Sequence, residues 1–366
     1  MGNNNFYIED FLRQAVSVGA SDIHLCEGER PAIRVSGQIM RINLAPLTSE
    51  DIDFVVKTVA PAHLRDRITR FFDIDFSYEI EGVSRFRINM SHVLGKSAMV
   101  FRAIPYYIKT FPELGLPASL EEFAKFNNGM VLITGATGSG KSTTIASLLD
   151  YINTTFAKHI VTIEDPVEFI FTNKKSIVSQ RQLLIDTPSF ADGIKYALRQ
   201  DPDVILIGEI RDRETMEAAL NAAETGHLVV STIHTNDAIQ TITRIINLFD
   251  PKERDFVRTQ VATTLRGTIA QKLVPSADGS ARLPVPEILM VTPTVQDFIV
   301  KDQLEQVYTL VKNGNFNNMV TMNMSLFKLY KEEKITKETA IAYSDNKSEL
   351  EQMMRGVYHG TGVNNQ

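Results

Sequence analysis

One cysteine, Cys26, is all that the sequence holds. An intramolecular disulfide and a cysteine-cluster zinc site are therefore excluded, and a reducing compartment is the expected setting. No apolar run approaches the ~20 residues of a membrane span. The start, Met1-Gly2-Asn3-Asn4-Asn5, lacks a basic segment followed by an apolar one, so no secretory signal is expected. Positive charge is not in excess. The 44 acidic and 38 basic residues leave a formal net charge of -6, which argues against broad nucleic-acid binding. Internal repeats, coiled-coil heptads and low-complexity blocks are missing too. What remains is an ordinary folded composition in 366 residues, enough for two or three domains with a core each. A soluble, cytoplasmic chain is the expectation.

Against these absences one stretch stands out, Gly135-Ala136-Thr137-Gly138-Ser139-Gly140-Lys141-Ser142. It fits G-x-x-x-x-G-K-[ST], follows the apolar run Met130–Ile133 and precedes a helix-like segment that begins at Thr143. Glycines let the backbone turn inward so that several N–H groups converge on anionic oxygens. The following helix adds the positive end of its dipole. Lys141 is placed for the β- and γ-phosphates and the Ser142 hydroxyl for Mg²⁺. The nucleotide-binding set is thus Gly135, Thr137, Gly138, Ser139, Gly140, Lys141, Ser142 and Thr143, with ATP and Mg²⁺ as the expected ligands.

The rest of the chain divides by pattern. Residues 1–103 predict a small α+β domain: helices over 6–18, 49–59 and 62–72, and short strands around 23–25, 32–35, 37–42, 75–80, 84–90 and 98–103. Alternation puts Arg85 and Arg87 on one strand face, opposite Phe86 and Ile88. Residues 104–118 hold Pro105, Pro112, Gly115 and Pro117 and read as a linker. From 119 to 360, apolar strands at 130–134, 160–164, 204–207 and 228–233 alternate with helical segments. That order predicts an α/β domain with a mostly parallel sheet. Beyond Leu273 the pattern is mainly helical, and 361–366 is a loose tail.

Three strand ends supply the remaining candidate chemistry. Asp203-Val-Ile-Leu-Ile-Gly-Glu209 delivers Glu209 at the sheet edge where ligands of open α/β sheets sit. Ile160-Val-Thr-Ile-Glu-Asp-Pro-Val-Glu168 delivers Glu164 in the same way, with Pro166 keeping Asp165 extended. Hydrolysis needs one acid near the metal and one near the attacking water. The residues alone do not divide these tasks; the assignment adopted is Glu164 for water and Glu209 for metal. Gly226–Thr235 is a strand bracketed by His227 and His234 on opposite faces. A shared metal site is therefore not expected, while His234 is a candidate γ-phosphate sensor, with a satisfied, partly buried histidine as the even alternative.

Taken together, Gly135–Ser142, Thr162–Glu168, Asp201–Asp212 and Gly226–Asn236 resemble the Walker A, Asp, Walker B and His boxes of the secretion and type IV pilus ATPase superfamily. The particular likeness is to the pilus retraction (twitching-motility) ATPases, and it covers nearly the whole chain. Ala20-Ser21-Asp22-Ile23-His24-Leu25 and Arg85–Asn89 fit as well. The resemblance implies a RecA-like P-loop motor domain behind a PAS-like N-terminal domain, in a homo-hexameric ring. It further implies a Mg²⁺-dependent ATPase at the inner-membrane face of the pilus machine, turning a platform protein there. A paralogous retraction ATPase is a further implied partner. Arg85, Arg87 and Arg102 match arginines that the family directs toward nucleotide or subunit contacts; a solvated basic strand face is the equal alternative. Extension and type II secretion ATPases usually carry a four-cysteine module, which Cys26 alone cannot build. Thr309–Met319 departs from the segment associated with retraction in the main branch. Two rivals stand beside this reading: another secretion motor, and, motivated by that departure, a slowly hydrolysing, nucleotide-binding regulatory paralogue.

Overall fold

The structure, a computed structural model, describes residues 6–35, 37–62, 64–65, 73–104, 106–313 and 318–356. Two compact units divide between Tyr107 and Ile108.

The first unit is built on an antiparallel sheet of β1 (Ala20–Cys26), β2 (Ala32–Val35), β3 (Gln38–Arg41), β4 (Ile74–Ile80), β5 (Ser84–Val93) and β6 (Lys96–Ile104). Their order across the sheet is β3-β2-β1-β6-β5-β4. Helices Ile8–Ser17 and Ser49–Val59 bury Leu12, Ile52 and Val55 in one core with Phe86, Ile88 and Phe101. Strand alternation explains the choice, since Phe86 and Ile88 are fully buried while Arg85 and Arg87 on the other face are half-buried. The second helix starts at a capping box in which Thr48 and Asp51 satisfy each other's backbone N–H. Most of the helix expected over 62–72 lies outside the described residues, as does the tail over 361–366.

The second unit carries β7 (Gly129–Thr134), β8 (His159–Glu164), β9 (Ile177–Gln182), β10 (Val204–Ile207), β11 (Leu228–Ile233), β12 (Leu265–Pro275) and β13 (Arg282–Met290). The order is β13-β12-β7-β11-β10-β8-β9, parallel except for β13 at the edge. The apolar runs are continuous because both faces are covered. Met130 and Leu132 point into a core shared with helices that include Phe190–Ala197 and Arg213–Glu224. Val131 and Ile133 point to the other face, under the helix Lys141–Thr155. Segment 104–118 contains the short helix Phe111–Leu114, closed by Gly115 in the left-handed region, and Ile108, Phe111 and Leu116 join the core of this unit.

Beyond Leu273 the chain is mainly helical, as expected, but β13 is a strand that the sequence pattern did not show. Pro284 and Pro286 obscure this strand, yet an edge strand tolerates proline where the missing N–H faces outward. Beyond it, helices Met322–Lys331, Lys337–Tyr343 and Lys347–Met354 form a small core with Val274 and Val285 of the β12–β13 hairpin.

Candidate nucleotide site

Parallel strands end at the same edge, so topology alone gathers four segments. From β7, β11, β10 and β8 in spatial order come the glycine loop, His234, Glu209 and Glu164. Thr137, Gly138, Lys141, Ser142, Glu164, Glu209 and His234 line one cavity of about 310 Å³. Gly135 and Ser139 are buried inside the loop, and Thr143 is half-buried in the first turn of the helix.

Loop geometry follows from its glycines. Gly138 and Gly140 have φ of 79° and 89°, values that other residues rarely adopt. Lys141 is buried, and its ammonium donates to the carbonyls of Gly135 and Ala136 at 2.9 and 3.0 Å. Burial pushes its pKa down, while the charges of Glu168 and Glu209 act the other way.

Glu209 is held by its neighbours on both sides. Gly208 N–H donates to Ile163 O of β8 at 2.8 Å, and Thr232 Oγ1 of β11 donates to Gly208 O at 2.8 Å. Ile210 N–H then donates back to Thr232 O at 3.0 Å. The carboxylate so fixed faces Arg211 at 2.5 Å and His234 Nε2 at 3.4 Å.

Glu164 sits deeper, only 7% exposed. Thr162 Oγ1 and Gln180 Nε2 donate to its Oε1 at 2.7 and 3.2 Å, and Glu168 N–H donates to Oε2 at 3.4 Å. Burial raises its pKa; the three hydrogen bonds oppose that shift and the Glu168 charge adds to it. His227, by contrast, lies at the opposite end of β11, with Nδ1 3.0 Å from Ala222 O.

The donors present suit Mg²⁺. A serine hydroxyl and one carboxylate are hard oxygen ligands of the kind this ion takes beside phosphate oxygens. Ser142 and Glu209 line the same cavity.

The type II/IV secretion system protein family matches residues 4–356. Over 333 residues the chain is 40% identical to the type IV pilus retraction ATPase PilT of Pseudomonas aeruginosa, covering 91% of this chain and 96% of that protein. The chain belongs to the type IV pilus retraction ATPases. A second relative of this retraction ATPase is the type IV pilus ATPase PilU of the same organism, 37% identical over 347 residues (95% of this chain, 91% of that protein). The crystal structure of the pilus retraction motor PilT with bound ADP matches at a TM-score of 0.88 and 45% identity, covering 94% of this chain and 99% of that one. The fold is accordingly that of a secretion ATPase, a RecA-like P-loop domain with a smaller N-terminal domain.

In the first unit of the retraction ATPase, the three candidate arginines share a sheet face. Cross-strand register aligns Arg34, Asp22, Arg102, Arg87 and Ser77 in one row. Arg102 Nε donates to Asp22 Oδ1 at 2.9 Å, and Arg85 reaches Ser77 Oγ at 3.0 Å. Burial alone would raise the Asp22 carboxyl, but Arg102 and Ser21 outweigh it and hold it below its ordinary value.

Two glutamines at the site were not among the sequence candidates. Gln180 orients Glu164, and Gln271 hydrogen-bonds Ser139 of the loop and Thr144 in the first turn of the following helix. Neither carries a local signal: each is a polar residue in a strand that its own pattern did not reveal.

Proposed function

We propose that this chain is an ATP-hydrolysing motor subunit that powers type IV pilus retraction and twitching motility. The observation that carries the reading is the convergence of the glycine loop, two acids and a histidine at one sheet edge. Lys141 leaves the loop carbonyls for the β- and γ-phosphates, an exchange open to a long side chain whose ammonium is held by two neutral carbonyls. Glu164, oriented by Thr162 and Gln180, accepts the proton of the attacking water. Ser142 and Glu209 hold Mg²⁺, which neutralises phosphate charge when bound. His234, already paired with Glu209, registers whether the γ-phosphate is there.

The subunit works in a homo-hexameric ring at the inner-membrane face, against a platform protein. One of Arg85, Arg87 and Arg102 supplies positive charge to a neighbour's nucleotide. Such an arginine contributes roughly 10³–10⁵ in turnover where it acts. A second reading, an accessory role beside a paralogous retraction ATPase, is favoured by the departure at Thr309–Met319 and by the PilU likeness. Retraction events counted in a strain lacking the gene, complemented with wild type or Lys141→Ala, test the proposal. Rescue by wild type alone is expected; equal rescue by both would remove hydrolysis here from the retraction step.

A further inference from the structure

Gln271 stands on β12, one residue past the Ala270–Thr134 pair that closes the β12–β7 register. It is therefore level with Gly135, where the phosphate loop begins. The residue is buried, only 2% exposed. Nε2 donates to Ser139 O at 2.8 Å, and Oε1 accepts from Thr144 Oγ1 at 2.7 Å. A carbonyl can only accept, so the amide's orientation is forced by Ser139 and the hydroxyl turns to meet the other end. Thr144 Oγ1 also lies 3.2 Å from Gly140 O. One planar group thus joins the end of the loop to the first turn of the helix behind it.

The glycines carry the same imprint. A Cβ at Gly140 would stand 2.7 Å from Gln271 Nε2, and a Cβ at Gly135 would run into Gln271 O. A Cβ at Gly138 would meet nothing within 4 Å. All three glycines have positive φ, and two are crowded as well: Gly140 by the Gln271 side chain, and Gly135 by the backbone oxygen at 271 and by Ser139 Oγ.

We propose that Gln271 is a positioning residue of the nucleotide site, holding the loop in the shape in which its amides and Lys141 receive a nucleoside di- or triphosphate. It touches no phosphate. It acts through Ser139 and Thr144, on opposite sides of Gly140 and Lys141. This inference rests on the nucleotide-site reading above. Methionine at 271 keeps the volume and loses both bonds. Glutamate keeps the acceptor for Thr144 and turns a second oxygen on the Ser139 carbonyl.

The test is binding of fluorescent ADP to the full-length wild type, Gln271→Met, Gln271→Glu and Lys141→Ala proteins, with ATP KM, kcat and Tm beside it. Both Gln271 variants should bind ADP at least ~10-fold more weakly and raise KM more than they lower kcat, as expected when ground-state binding is lost. Tm should move by only a few degrees. Wild-type ADP affinity and KM in both variants, with Lys141→Ala impaired, would overturn the positioning role and leave the nucleotide reading intact. A loss confined to kcat would overturn it too. Absence of Lys141-dependent ADP binding in the wild type sinks the nucleotide reading, and this inference with it. If the Gln271 variants fail to fold, Thr144→Val decides: it removes one of the two anchors at constant shape. A several-fold affinity loss supports the role, and unchanged affinity contradicts it.

Discussion

Glu164 is a buried acid asked to hold a charge. Burial favours its protonated form, and Thr162, Gln180 and the Glu168 amide favour the ionised one. A base works only when ionised, so turnover should fall as pH drops through the raised pKa of Glu164 and level off above it. Glu164→Gln should cut kcat by roughly 10²–10⁴ while ATP affinity stays within a few fold, checked by phosphate release and by binding. Gln180→Met removes a donor to the ionised form, so the acid limb of the pH–rate profile should move to higher pH. An unmoved limb would assign that limb to another group. Glu164 was legible in the sequence because an acid ending an apolar strand is a local pattern. Gln180 was not: its value comes from the side chain it meets across the β8–β9 pair, which no periodicity records.

At the scale of elements, the four buried parallel strands were readable as continuous apolar runs, and the site follows from their shared direction. The edge strands were not. β9 reads Ile-Val-Ser-Gln-Arg-Gln and is only partly buried, so its composition is that of a surface; β13 hides behind two prolines. Gln271 shows the same limit more sharply, since its partner Thr144 lies 127 positions away in the chain. β13 also carries Glu287, whose oxygens accept from Ala238 N–H at 3.0 Å and Met322 N–H at 3.4 Å. Each of those amides opens a helix, Ala238–Asn247 and Met322–Lys331, so one carboxyl ties together two N-termini.

Burial pushes Glu287 up to about 7; the two amides oppose the shift and the charges of Asp237 and Asp345 add to it. The sign follows from linkage. The unfolded chain ionises this group near the ordinary glutamate value and the folded chain only near neutrality. Its stabilising contribution is therefore full below the unfolded pKa and is lost as pH rises through the folded one. That loss is on the order of 3 kcal/mol at most, at 1.36 kcal/mol per unit. Relative to Glu287→Gln, wild type should lose Tm between pH 5 and pH 8. Parallel Tm curves for the two proteins would contradict this.

The molecule as a whole consists of two units with separate cores, the first presenting a row of arginines around Asp22 and the second holding the nucleotide cavity. A ring in which neighbours complete each other's sites predicts that turnover per subunit rises with protein concentration and saturates as rings form. Arg102→Ala should lower that plateau by 10² or more if this arginine acts on a neighbour's nucleotide, and ADP binding by single subunits should stay within a few fold. Flat specific activity across the dilution series would mean that each subunit hydrolyses alone.

In the proposed function, ATP is hydrolysed at the glycine loop through Lys141. Steady-state phosphate release by the purified full chain, with ATP and Mg²⁺ and with Lys141→Ala alongside, tests it most directly. Sustained turnover by wild type and a loss of at least about a hundredfold in the variant are expected. Equal phosphate release from both proteins, or none from either, would contradict it.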